Sequence, residues 1–340
     1  MSMIETPSLH HPQLQPLQLP ENHPPTLQVV VDTEESFDWS APFDPTATDV
    51  SHMEGVLKPQ EIFNRFGLRP IYVVDYPVAS QPAGYGPLKE LLEKDQCRIG
   101  AHLHPWVNPP AGEEVNRHNA YPGNLPEPLE RAKLTALTQM IEQNFAQRPT
   151  LYKAGRYGFG PHTAQILASL GYQIDLSPSP GFDFSADGGP NHTGYGNHPF
   201  RFTAAGSQMT CIPTTGGFMG PLADHGPTLY PPLQSSVGRT LRLEGLLSKS
   251  GLFSRQRLSP EGFSLEENRR LTRWLLKRGV RLFTLSFHSP SWQPGNTPYV
   301  KSRGELETFL AHLQDYCHFF MEELEGVALP PEMILQRLQG

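Results

Sequence analysis

Seven short runs along this chain are too apolar to leave one face in water: LQVVVD (27–32), PIYVVDYP (70–77), CRIGAHLHP (97–105), TLYKAG (150–155), YQIDLS (172–177), SQMTCIPTT (207–215) and VRLFTLSFH (280–288). Strands buried on both faces belong to parallel sheets covered by helices, and helical patterns separate most of these runs. In EPLERAKLTALTQMIEQNF (127–145), Leu129, Leu134, Leu137, Ile141 and Phe145 fall along one stripe. Further helices are predicted over 59–67, 86–96, 162–171, 233–249, 264–279 and 304–324, with a long loop over 178–206. The alternation predicts an α/β fold, a distorted or incomplete (β/α) barrel of about seven parallel strands with helices outside.

Residues 1–26 are rich in Pro, Gln and His with little to bury, which reads as a disordered tail before one domain over 27–340. The 340 residues allow two domains, but barrels of this size form one. With 36 prolines and 30 glycines, much of the chain is loop, where function tends to sit. A net charge of −7 with scattered Lys and Arg argues against a nucleic-acid partner. Cys97, Cys211 and Cys317 form no framework or CxxC pair and read as reduced, buried thiols. No signal-peptide pattern and no apolar stretch of spanning length occurs, so the expectation is a soluble cytoplasmic protein of unspecified oligomeric state.

Polar residues gather where strands run out, the face that carries active sites in barrels. After VVV come Asp32, Glu34 and Glu35, a repelling cluster that a metal ion would compensate; a helix N-terminus also favours acids. His102 and His104 share one side of a strand, a natural half-site for zinc, although core histidines would look the same. Lys153-Ala154-Gly155-Arg156-Tyr157-Gly158 closes another strand; Arg156 is suited to grip a carboxylate, with Asp32 the candidate. His288 ends the strongest strand, where acid–base work or a structural role is open to it. Trp106, Tyr157 and Trp292 are candidate walls for a sugar ring, or plain core.

In order and spacing, VVDTEESFDW, IGAHLHPW, KAGRYGFG and LSFHSPSW resemble the catalytic motifs of the polysaccharide deacetylases, the carbohydrate esterases with a NodB-homology domain. The resemblance covers about residues 27–290 and is nearest to divergent, cytoplasmic-type members with Asp-x-Glu in the first motif. Where that family has two adjacent Asp residues, the second acid here is Glu34 or Glu35. Where it has His-x-x-x-His, the fourth position after His102 is Trp106, so His104 takes the second ligand's place. Asp175, Asp183 and Asp187 all lie in the region of the fourth motif.

The resemblance implies a divalent metal, zinc in the first instance, held by Glu34, His102 and His104. It further implies Asp32 as base, His288 as acid, Arg156 as the group holding Asp32 ionised, and a backbone N–H near Arg156–Tyr157 stabilising the oxyanion. The implied activity is removal of acetyl groups from N-acetylated sugars. Two alternatives stand beside it: hydrolysis of another non-peptide C–N bond on the same fold, and a non-catalytic carbohydrate-binding protein.

Overall fold

The computed structural model of the protein describes residues 14–338. Its strands are β1 (Gln15–Pro16), β2 (Thr26–Thr33), β3 (Ile71–Val74), β4 (Arg98–Leu103), β5 (Leu151–Ala154), β6 (Ile174–Asp175), β7 (Phe200–Ala204), β8 (Ser207–Cys211), β9 (Gly216–Met219), β10 (Ser254–Arg257), β11 (Leu282–His288) and β12 (Val327–Ala328). The main sheet runs β1-β7-β8-β6-β5-β4-β3-β2-β11, with β12 added to β2. From β11 to β8 every pairing is parallel. The seven apolar runs are these parallel strands, as their two-sided burial requires.

The sheet curls until its edges nearly meet, and irregular chain fills the gap. Thr284 N–H donates to Thr215 Oγ1 at 2.8 Å, Leu258 N–H to Thr215 O at 2.8 Å, and Ser286 N–H to Leu258 O at 3.1 Å. The period-two alternation of the strands produces two cores. Outward residues such as Val29, Val31, Tyr72, Ile99, Leu103, Tyr152, Phe283, Leu285 and Phe287 belong to the large core, which the helices cover. Inward residues Val30, Ile71, Val73, Leu151, Ile174 and Leu282 form a second core that plugs the base of the barrel. Further toward the C-terminal ends of β2, β4, β5 and β11, the inward positions are Asp32, His102, Lys153 and His288. The polar groups thus converge above an apolar plug.

That plug corrects the expected tail. Residues 1–13 of the proposed 1–26 segment lie outside the described residues. From Leu14 the chain is packed: β1 pairs antiparallel with β7, and Leu17 and Leu19 are buried in the inner core beside Ile334 and Leu338. Composition hid this because Leu17 and Leu19 are isolated among polar residues, yet burying a leucine is worth about 1.5–3 kcal/mol. The loop predicted over 178–206 also contains β7, which pairs with β8.

The helix over Glu127–Phe145 has the predicted bounds and stops where Ala146 turns left-handed, at φ 55°. Leu265–Lys277 begins at a capping box, with Ser264 and Glu267 each bonding the other's backbone N–H. The single helix expected over 233–249 is instead three pieces, Gly226–Gln234, Ser236–Thr240 and Leu243–Lys249. Extended Ser235 and left-handed Arg242, φ 51°, break it. Cys97, Cys211 and Cys317 are free and buried. Among the described residues no helix is long and apolar enough to cross a membrane.

Candidate metal centre and active site

The strand ends bring Glu34, His102 and His104 together, all nearly sealed from solvent. One ligand atom from each lies within 4.8 Å of the others. Glu34 Oε2 is 3.5 Å from His102 Nε2 and 3.4 Å from His104 Nε2. Both rings are held from behind: His102 Nδ1 bonds Lys153 O at 2.9 Å, and His104 Nδ1 bonds Glu35 Oε2 at 2.9 Å. With each Nδ1–H donated outward, each Nε2 presents a lone pair toward Glu34, the arrangement that orients metal-ligating histidines. Burial depresses the His102 pKa to about 3 and the His104 pKa to about 4, so both are neutral at ordinary pH.

These residues fit a divalent cation. Glu34 Oε1 is buried without a hydrogen-bond partner. Burial, then Glu35 and Asp32 nearby, pushes the Glu34 carboxyl well above its usual range, a cost that a cation would remove. A second grouping, Glu35, Asp75 and His104, is equally compact, but its atoms are already engaged. Trp106 Nε1 donates to Glu35 Oε1 at 2.8 Å, and Glu35 N–H donates to Asp75 Oδ2 at 2.7 Å. Glu35 therefore supports His104, and of the two acids the geometry selects Glu34 to join the histidines.

Asp32 lies beside this cluster, held by Lys153, to which the motif reading gives no role. Lys153 Nζ donates to Asp32 Oδ1 at 2.5 Å and Oδ2 at 2.6 Å. Burial opposes ionisation of Asp32, but Lys153, with smaller contributions from His102 and His288, brings its pKa down to about 2. His288 Nε2 is 3.6 Å from Asp32 Oδ2, while its Nδ1 is 2.7 Å from Glu261 Oε2. Glu261 also accepts from the His288 backbone N–H at 3.1 Å and from Ser291 Oγ–H.

The expected Arg156–Asp32 pair does not form. The Arg156 guanidinium pairs with Asp187 and lies 4.0 Å over the Tyr121 ring. Arg156 and Tyr157 both adopt left-handed backbone, φ 53° and 61°, which turns the arginine away from the strand that carries Lys153. Trp106 and Trp292 are also not sugar walls. Trp106 is buried, stacked on His104 at 4.3 Å, and Trp292 is fully buried with Nε1 donating to His52 O. Tyr157 does line the open cavity, of about 930 Å³, together with Phe37, Trp39, Tyr121 and Tyr299. Of the fourth-motif candidates, Asp183 and Asp187 line the cavity, whereas Asp175 is buried on β6 and accepts from Ser177.

The residues that motif reading misses differ in how visible they are. Lys153 sits one alternation step from the strand end, and Asp75 closes YVVD, so both are legible. Glu261 lies in an irregular loop and carries no signal. Gly155 has a steric reason to be glycine: a Cβ there would overlap Leu103 O and lie 2.7 Å from His104 Cδ2.

A curled (β/α) barrel with a His₂–carboxylate cluster and an Asp–His pair at its strand ends is thus the class that fold and site define. No protein-family model and no curated protein matches the sequence. Solved structures share the fold. A Mycobacterium smegmatis protein classed as a polysaccharide deacetylase is similar over 94% of this chain and 94% of its own, at 16% identity and a TM-score of 0.50. Puue allantoinase is similar over 92% of this chain and 89% of its own, at 12% identity and a TM-score of 0.52. A GH57 branching enzyme from Thermococcus kodakaraensis is similar over 93% and 72%, at 11% identity and a TM-score of 0.50. The fold is that of the polysaccharide deacetylases and allantoinase-type barrels.

Proposed function

We propose that this chain is a metal-dependent hydrolase that removes acetyl groups from N-acetylated sugars. The observation that carries the reading is the convergence of His102 Nε2, His104 Nε2 and Glu34 Oε2 beside the Asp32–His288 pair. A divalent metal on those three residues, zinc in this reading, would supply a polarised water and a Lewis acid for the acyl oxygen.

The chain's own groups account for the proton movements. Asp32 stays ionised on Lys153 and accepts the proton of the attacking water. His288, oriented through Nδ1 by Glu261, presents Nε2 toward the cavity and donates its proton to the departing amine as the C–N bond breaks. Acetate and a free amino sugar result. Backbone N–H groups at Arg156–Tyr157 are assigned to the oxyanion. A cytoplasmic setting, with a soluble or lipid-linked sugar precursor as substrate, belongs to the same proposal.

The likeness to an allantoinase keeps a second reading, hydrolysis of a different non-peptide C–N bond. Acetate release from N-acetylated sugars, lost with chelator and restored by added zinc, supports the first. Turnover of a ring amide without acetate release would replace it with the second. Sugar binding unaffected by chelator, with no turnover of either, would leave a non-catalytic binding protein.

A further inference from the structure

Arg257 closes β10 on the cavity wall. The other cavity arginines, Arg117 and Arg156, both pair with Asp187, and Lys153 is committed to Asp32. Among the described residues Arg257 forms no ion pair, and its Nε is buried without a hydrogen-bond partner. Asp183, an acid on the same wall, instead accepts from Ser185 N–H at 2.9 Å.

The guanidinium is held against two rings, 4.6 Å from Tyr157 and 4.1 Å from Phe182. Aromatic contact fixes a guanidinium by its faces and leaves its N–H edge for a planar or tetrahedral anion. The Tyr157 ring also has Lys153 Nζ 4.9 Å from its centroid, so Arg257 stands one ring away from the cation that holds Asp32. Its backbone is anchored too: Leu258, the next residue, bonds Thr215 and Ser286, two positions before His288.

We propose that the cavity receives an acidic group of its substrate, a carboxylate or a phosphate, on Arg257. This rests on the reading that the cavity takes an N-acetylated sugar, and it narrows that reading to acidic sugars. The test is calorimetric titration in the His288→Ala background, where turnover is suppressed. The probes are N-acetylglucosamine, its 6-phosphate, N-acetylmuramic acid and inorganic phosphate.

At least one acidic sugar should bind about ten- to a hundredfold more tightly than the neutral one, the range of a charge-assisted pair. Which of the two does so distinguishes phosphate from carboxylate. Arg257→Gln should abolish the preference, and Arg257→Lys, which keeps charge without the fork, should retain part of it, with unchanged melting temperatures showing that both fold. Equal binding of neutral and acidic sugars, or a preference that survives Arg257→Gln, overturns the proposal while leaving the sugar reading in place. Arg257-dependent binding of inorganic phosphate with no sugar binding supports the anion site and removes the sugar reading. No binding of any probe overturns the proposal.

Discussion

Lys153 Nζ lies 2.5 Å from Asp32 Oδ1 and 2.6 Å from Oδ2, with both side chains almost wholly withdrawn from water. Removing one partner of such a pair leaves an uncompensated buried charge, costing about 3–5 kcal/mol. Lys153→Met should lower the stability of the metal-free protein by that order in urea titration, and Lys153→Met with Asp32→Asn should recover much of it. Wild-type stability in the single variant would mean the pair contributes nothing.

Metal content should follow the two shells around His104. His102→Ala with His104→Ala should abolish bound metal, by elemental analysis, in a protein that still melts cooperatively. Glu35→Gln should keep the site and weaken metal affinity by about 10–100-fold, as loss of an orienting partner does. Stoichiometric metal in the double variant would remove the ligand assignment.

His288→Ala should lower kcat by about 10²–10⁴ with little change in substrate affinity. Glu261→Gln, which leaves the ring but weakens its orientation through the 2.7 Å contact, should lower kcat less. Loss of affinity at constant kcat would recast His288 as a substrate contact.

Gly155→Ala tests the packing behind the histidines. The added carbon would overlap Leu103 O and His104 Cδ2, and such overpacking costs about 1–3 kcal/mol. A lower melting temperature together with reduced metal content is expected. Unchanged values of both would show that the strand ends can separate freely.

The part of the stability that Glu130 carries should fall as pH rises from about 4.5 to about 7. Burial lifts the carboxyl of Glu130 to about 7, opposed by the Thr163 hydroxyl, so the folded chain holds a proton there that the unfolded chain releases near 4.5. Its stabilisation is full below the unfolded value and is lost as pH rises through about 7. Glu130→Gln cannot titrate and should flatten the slope by on the order of 1–3 kcal/mol across that window. An unaltered slope would place the titration elsewhere.

The sequence by itself determined the seven parallel strands, because residues buried on both faces of a strand must be apolar in an unbroken run. It also determined where the polar groups gather, since Asp32, His102, His104 and His288 each interrupt such a run at its C-terminal end. Tertiary structure decided the partners. Lys153 rather than Arg156 meets Asp32 because left-handed backbone at Arg156 turns that side chain toward Asp187. Glu34 rather than Glu35 joins the histidines because Glu35 is taken by Trp106 and His104. Glu261 reaches His288 from a loop with no periodicity to read, and Leu17 and Leu19 fill the barrel base across a long stretch of chain. Periodicity records which face of an element is buried, whereas contacts between distant residues depend on backbone turns that the pattern does not encode.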